Sequence, residues 1–319
     1  MIASSPYDDR LGRIPVRACD AHVLGSTTRY WDYGDPSATT SIVLVHGFRG
    51  DHHGLEPVVA HLDGFRLISP DLPGFGESEP LRDAHHDIDG YAAWLRAFVA
   101  ALDLPGRVVI LGHSFGSIVV SAALAGRGGA GNDDDDDGRD GAAALHPADV
   151  VLVNPIAAPA LKGPRGILTR LAVFYYWLAS VLPERLGFAL LRNGLIVRVM
   201  SVAMAKTDDK ALRRWIHDQH DRYFSAFSDR QVVLEAFRAS VSNDVSEFAP
   251  GIPERTLLIA ADKDDITPVA AQERLVALFP DARLHVIADV GHLIHYEVPA
   301  EAAGQITAFL AQPPANGAR

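Results

Sequence analysis

The stretch Arg107-Val108-Val109-Ile110-Leu111-Gly112-His113-Ser114-Phe115-Gly116-Ser117-Ile118-Val119-Val120 decides the fold. Val108 to Leu111 is β-branched and leucine-rich without a polar interruption, the signature of a strand buried on both faces. The apolar run after Gly116 reads as a helix. Between them Gly112 and Gly116 flank Ser114 in the pattern G-x-S-x-G. A hydroxyl on so tight a strand-to-helix turn stands exposed above the sheet edge, and small residues are needed on either side because strand and helix crowd there. The helix N-terminus adds unpaired N–H groups and a partial positive charge, which suit a developing oxyanion. Ser114 is the expected nucleophile.

Outward from the turn, short apolar strands alternate with helical patterns. Arg17 to Asp35 reads as a β-hairpin turning at Leu24-Gly25-Ser26. Strands follow at Ser41–Val45, Phe65–Ser69, Asp149–Val153, Arg255–Ala260 and Arg283–Ile287, with helices at Leu55–Leu62, Ile88–Leu102, Val269–Leu278 and Ala300–Leu310. Such alternation predicts an α/β fold with a mostly parallel sheet flanked by helices. Between the strand ending near Asn154 and the one starting at Arg255 the pattern turns wholly helical, with pieces around Leu168–Leu182, Leu186–Met204, Asp208–Phe224 and Asp229–Ser240. The expected organisation is a core over 1–155 and 249–319, with a helical lid over 156–248 on the carboxyl edge of the sheet. Gly126 to Gly141, with Asp133 to Asp137 in succession, is expected to be a solvated, disordered insertion. The Pro/Gly-rich tail from Gln312 to Arg319 is expected to fray.

Composition excludes several classes. The formal net charge of −11, without a basic stripe, argues against a nucleic-acid partner. A lone Cys19 excludes an internal disulfide framework and fits a reducing compartment. The N-terminal MIASSPYDDR lacks the apolar run of a secretory signal, and no uninterrupted apolar stretch of about 18 residues reads as membrane-spanning. A cytoplasmic protein is the expectation; oligomeric state is left open.

A serine hydroxyl needs a base within hydrogen-bond reach. His292 follows the last strand in Val290-Gly291-His292-Leu293-Ile294-His295, and loops at strand carboxyl ends are where open α/β sheets place their chemistry. His295, with Glu297 nearby, is the rival. The base needs a carboxylate in turn. Asp262, Asp264 and Asp265 crowd the end of the preceding strand, and at most one should face the histidine.

From about Tyr30 to Leu310 the chain resembles the α/β-hydrolase superfamily, in its serine-nucleophile, lidded esterase- and lipase-like branch. The features carrying the resemblance are His46-Gly47-Phe48, the loop Asp71-Leu72-Pro73-Gly74-Phe75-Gly76-Glu77-Ser78, the Gly112–Gly116 turn, Asp264 to Pro268, and Gly291-His292 with Glu297 and Pro299 behind it. The order Ser114, Asp264, His292 is the order of that fold. The resemblance selects Asp264, the carboxylate four residues before Pro268, although Ala261 stands where the family usually has glycine. Some subfamilies place the acid after the strand ending at Asn154, and an asparagine cannot serve there. The resemblance also implies an oxyanion hole from the backbone N–H groups of Phe48 and Phe115, their side chains forming pocket wall, and an acyl-enzyme on Ser114. Dehalogenases and epoxide hydrolases of the superfamily differ in carrying an aspartate at the turn.

His46 and His113 are expected to be structural, His113 pointing away. His52-His53 and His85-His86 lack ligand spacing, so no metal and no cofactor are expected. The lid stretch carries Phe174, Tyr175, Tyr176, Trp177, Phe188, Met200 and Met204 with few acids. Most of these should be packing, and the remainder, with Phe48 and Phe115, suggests an apolar acyl or alkyl pocket and a lipophilic ester as substrate. Gly47, Arg49, Phe174 and Trp177 are the residues expected at the substrate, Arg49 being equally readable as a surface residue. The alternatives are a carbon–carbon, amide or thioester hydrolase or an acyltransferase on the same machinery, and, less favoured, a non-catalytic binding protein.

Overall fold

A computed structural model describes residues 4–126, 145–158 and 166–312. The Asp133–Asp137 run and the tail beyond Gln312 lie outside the described residues.

An eight-stranded sheet carries the molecule, in the order β1-β2-β4-β3-β5-β6-β7-β8. The strands are β1 (Val16–Val23), β2 (Ser26–Tyr33), β3 (Thr40–Val45), β4 (Arg66–Pro70), β5 (Arg107–His113), β6 (Asp149–Val153), β7 (Arg255–Ala261) and β8 (Ala282–Ile287). β1 and β2 form the expected antiparallel hairpin and β2 pairs antiparallel with β4; every later pairing is parallel. The parallel strands β3, β5, β6 and β7 are buried almost throughout, which is why they read as unbroken apolar runs rather than alternations.

Helices cover both faces: α1 (Asp8–Leu11), α2 (Glu56–Val59), α3 (Ile88–Leu102), α4 (Phe115–Leu124), then α5 (Gly166–Val181), α6 (Glu184–Leu191), α7 (Gly194–Met204), α8 (Lys210–Tyr223) and α9 (Arg230–Ser242) in one block between β6 and β7, and finally α10 (Val269–Val276), α11 (Ile294–Glu297) and α12 (Pro299–Leu310). One core packs α3 and α4 against Val43, Val45, Ile110 and Leu152; the other packs α2 and α12 against Ile42, Leu44, Leu111 and Val151. The alternation of neighbouring residues between the two cores is the period of a strand.

Local chemistry sets the helix ends. Asp87 caps α3 by accepting the Gly90 N–H at 2.9 Å, and Asp103 ends it in the left-handed region at φ 43°. Only four residues of the expected Leu55–Leu62 helix are α-helical, because His61 and Leu62 donate three residues back, to Val58 and Val59, and tighten the turn. The piece expected over Leu186–Met204 is two helices, since the Asn193 side chain accepts from the N–H groups of Leu195 and Ile196 and starts α7 afresh. By length and composition alone Glu184–Met204 is apolar enough to cross a membrane, although Arg192, Asn193 and Arg198 interrupt its apolar run. In this fold it is broken at Arg192-Asn193, and Leu191, Val197 and Ser201 face the protein.

The helical block is sewn to the core. Gly76 N–H donates to the Ala226 carbonyl at 2.8 Å and Ser228 N–H to the Gly74 carbonyl at 2.9 Å, which joins the α8–α9 connection to the Asp71–Ser78 loop. Asp71, fully buried, organises that loop by accepting from His52 N–H, His52 Nδ1 and Glu77 N–H.

Candidate active site

Ser114 sits between β5 and α4 at φ 53° and ψ −119°, a strained conformation for a residue with a side chain. Its neighbours must be glycine. A Cβ on Gly112 would lie 2.6 Å from the Gly116 carbonyl oxygen, and one on Gly116 would lie 2.3 Å from that of Val45. The Ser114 N–H donates to the Val153 carbonyl at 3.0 Å, which anchors the turn to the next strand.

His292 Nε2 lies 2.8 Å from Ser114 Oγ, and His292 Nδ1 lies 2.7 Å from Asp264 Oδ2. An ionised carboxylate only accepts, so Nδ1 carries the proton and Nε2 turns its lone pair to the serine hydroxyl. Burial pushes the Asp264 carboxyl up, but the charge and hydrogen bond of His292, with Thr267 Oγ1 at 2.6 Å and the Ile266 N–H at 2.7 Å, outweigh it and hold the group well below the ordinary range. An imidazole fixed in this way can take the hydroxyl proton and share the resulting charge with the carboxylate.

The other two aspartates are occupied elsewhere. Asp265 pairs with Lys206 Nζ at 2.7 Å, and Asp262 accepts from the Val290 N–H at 3.3 Å. His295 is buried against His113, ring centroids 4.1 Å apart, and Glu297 accepts from the Lys206 N–H instead of partnering it.

Two peptides have their N–H groups aimed by what holds their carbonyls. The Gly47 carbonyl accepts from His46 Nδ1 at 2.8 Å and from the Gly50 N–H at 3.1 Å. The peptide is planar and trans, so the Phe48 N–H of the same unit points the opposite way. Leu72 N–H donates to His46 Nε2 at 2.8 Å, which fixes the neutral tautomer, and burial lowers the pKa of this ring. Likewise the Ser114 carbonyl accepts from both the N–H and the hydroxyl of Ser117, which directs the Phe115 N–H away from the helix body.

These groups open on a cavity of about 180 Å³, walled among others by Phe48, Leu55, Met200, Met204, Ile266 and Leu293. A match to the model of the alpha/beta hydrolase family extends over residues 42–305 and takes in every one of these elements. The chain belongs to the alpha/beta hydrolase family. This hydrolase is 22% identical over 275 residues to Lipase 1 of Psychrobacter immobilis, covering 84% of this chain and 76% of the relative. It is 29% identical over 246 residues to a non-heme chloroperoxidase of Burkholderia pyrrocinia, covering 76% and 80%. Among solved structures, a thermophilic esterase from Thermogutta terrifontis superposes with a TM-score of 0.68 at 22% identity, covering 92% of this chain and 98% of the other.

Within the hydrolase's cavity some sequence expectations change. Gly47 and Arg49 line it. Arg49, however, is 1% exposed and its guanidinium is spent on the helical block, donating to the carbonyls of Phe224 (2.9 Å) and Leu191 (2.6 Å) and to the Tyr176 hydroxyl (3.3 Å). Neither a surface position nor a free substrate contact describes it. Phe174 and Trp177, 56% and 53% exposed, lie away from the cavity with their rings 5.6 Å apart. α5 buries its other face, where Tyr176 stacks on Phe237 at 3.7 Å. The Phe115 ring is core, edge-on to Tyr91, whereas Phe48 is among the residues that line the cavity. His113 does not point away; it lines the cavity, and burial, with the charge of His292, pushes it down to about 3.

Three positioning residues escaped the sequence reading: Ser117, Thr267 and Asn154. Asn154, at φ 44°, donates through Nδ2 to the His292 carbonyl at 2.7 Å. Asparagine at a strand end is the one available signal, since it tolerates the left-handed region. Asp51, His52 and His53 bring ligand-type atoms within 4.8 Å of one another, and each Nδ1 is already bonded to a carboxylate oxygen, of Asp71 and Asp51 respectively.

Proposed function

We propose that the protein is a serine hydrolase of uncharged carboxylic esters with a short apolar acyl or alkyl group, working through an acyl-enzyme on Ser114. Ser114 Oγ attacks the carbonyl carbon while His292 Nε2 takes its proton, and Asp264 holds and stabilises the imidazolium. The oxyanion accepts from the N–H groups of Phe48 and Phe115, each worth about 3–4 kcal/mol to the transition state. His292 then protonates the departing alcohol. A water, deprotonated by the same imidazole, attacks the acyl carbon and releases the acid and Ser114. Helices α5 to α9 act as a cap over the carboxyl edge of the sheet.

The observation that carries this reading is the continuous hydrogen-bond chain from Ser114 through His292 to Asp264, opening on an apolar cavity. The family also holds a chloroperoxidase, so membership alone does not choose the reaction; the lipase and esterase names of the relatives favour ester chemistry. A cavity of about 180 Å³ is small beside the roughly 300–1,000 Å³ of sites that enclose drug-sized ligands, which favours a short chain. The commitment of Arg49 to the helical block favours an uncharged substrate.

A fluorophosphonate probe tests the nucleophile. The wild type should label stoichiometrically and Ser114→Ala not at all; absence of labelling, or equal labelling of both, overturns the proposal.

A further inference from the structure

We propose that the outward face of helices α5–α7 docks the protein on an anionic lipid bilayer. Of the thirteen large apolar side chains exposed among the described residues, eight lie on these three helices: Leu171, Phe174, Trp177 and Val181 on α5, Leu186 on α6, and Leu195, Val199 and Val202 on α7. Each is between 53% and 73% exposed, so these are not marginal edges of a core. Their spacing makes them faces. Residues 171, 174, 177 and 181 form one stripe of α5, while Tyr176 and Ala179 on its other side are buried. Residues 195, 199 and 202 form a stripe of α7, opposite buried Val197 and Ser201. A helix apolar on both sides belongs in a core or against a membrane, and here only one side has the core.

Charge selects the occupant. From Gly166 to Met204 the charged residues are Arg170, Arg185, Arg192 and Arg198 against Glu184, in a chain whose net charge is −11. Arg198 is paired with Asp221 and Arg192 lies over the Phe188 ring, while Arg170 and Arg185 are exposed beside Leu171 and Leu186. Exposed apolar helix faces with basic residues beside them, on an acidic protein, fit an anionic headgroup layer over an acyl boundary, with an aromatic pair such as Phe174 and Trp177 at the interface between them. A two-fold dimer through the same face would instead set the arginines of one copy against those of the other. The break at Arg192-Asn193 suits a segment lying in the interface plane rather than spanning it. The opposite side of α7 supplies Met200 and Met204 to the cavity wall, so the docking surface and the cavity are two faces of one helix. This inference stands on the surface alone and holds whether or not Ser114 is a nucleophile.

Co-sedimentation of the full chain with vesicles tests it, comparing phosphatidylcholine alone with equal parts of phosphatidylcholine and phosphatidylglycerol. Binding to the anionic vesicles should be at least about tenfold stronger, with a blue shift of tryptophan emission that Trp177→Phe removes. The double variants Leu195→Gln/Val199→Gln and Arg170→Glu/Arg185→Glu should each weaken binding about tenfold, with turnover of a water-soluble short ester retained. Three outcomes overturn the proposal: no sedimentation, equal binding to neutral vesicles, or binding that neither double variant changes. A lipid-free dimer that Leu195→Gln/Val199→Gln dissolves would also overturn it, assigning the face to a second copy of this chain.

Discussion

Arg49 and Leu191 are joined in the protein interior: the Arg49 guanidinium donates through Nη2 to the Leu191 carbonyl at 2.6 Å, at the C-terminal end of α6. Through Nε the same side chain reaches the carbonyl of Phe224, at the C-terminal end of α8. Two negative helix ends therefore converge on one buried cation. Because Phe48 immediately precedes Arg49, this side chain ties the proposed cap to the loop that carries a proposed oxyanion donor. Arg49→Met should cost about 2–4 kcal/mol of stability by stranding these carbonyls. It should also lower kcat more than it raises KM. Arg49→Lys should recover part of the stability and little of kcat, since an ammonium cannot reach in two directions. Equal kcat in wild type and Arg49→Met, read by steady-state kinetics beside chemical denaturation, would separate the two roles and remove the second.

Asp264 receives four donors, including His292 Nδ1, while Asp262 and Asp265 receive none from the imidazole. Asp264→Asn should reduce kcat about 10⁴-fold by upsetting the imidazole tautomer. Asp262→Asn and Asp265→Asn should stay within a few-fold of wild type. Comparable losses in all three would mean that the loop rearranges when substrate binds.

Much of this arrangement is legible in the sequence, and what is not legible shares a cause. The Ser114 turn is written in consecutive residues: a buried strand, two glycines under contact, and an apolar helix. His292 sits at a strand end, whose position a local pattern gives; Asp264 shares its strand end with Asp262 and Asp265, and the family resemblance rather than the local pattern selects it. Arg49 is different, because its burial depends on helix ends that arrive 142 and 175 residues later in the chain. α5 is apolar around its circumference, so periodicity could not say whether Phe174 and Trp177 or Tyr175 and Tyr176 face inward. Ser117 and Asn154 act through carbonyls of residues adjacent only in space, or already assigned another role.

Ser117 offers a test of the oxyanion geometry that leaves both proposed donors in place. Its hydroxyl donates to the Ser114 carbonyl and accepts from the Ile156 N–H at 3.2 Å. Ser117→Ala frees the peptide that carries the Phe115 N–H. A kcat loss of about tenfold with KM nearly unchanged is expected, smaller than the 10²–10³ of losing a donor outright. An unchanged kcat would show that the Ser117 backbone N–H alone holds the peptide.

Burial pushes His113 and His220 down to about 3, from an ordinary 6.5. The folded-state pKa lies below the unfolded one, so between about pH 6.5 and about 3 the unfolded chain takes protons that the folded chain refuses. Stability should therefore fall as pH drops below about 6.5, by up to about 1.4 kcal/mol per pH unit for each ring. Urea unfolding between about pH 7 and about pH 5 separates this slope from depressed carboxylates such as Asp264, which act at lower pH; the other rings that burial lowers, His46, His86 and His295, add to it with the same sign. His220→Asn should remove about half of the two rings' contribution. A slope that His220→Asn leaves intact would assign the acid sensitivity to other groups.

Met200 reaches from α7 into the wall of the same cavity of about 180 Å³ that Ser114 lines. In a series of p-nitrophenyl esters, kcat/KM should be highest for a short acyl chain and fall steeply once the chain outgrows that volume, since each misfitting methylene changes the transition-state energy by about 1–3 kcal/mol. Met200→Ala removes the thioether and its methyl, and should move the optimum to a longer acyl chain at the expense of acetate. Met200→Trp fills the same space and should abolish the longer substrates first. An optimum that neither variant moves would place the acyl chain against another wall, with Ile266 and Leu293 the next to change.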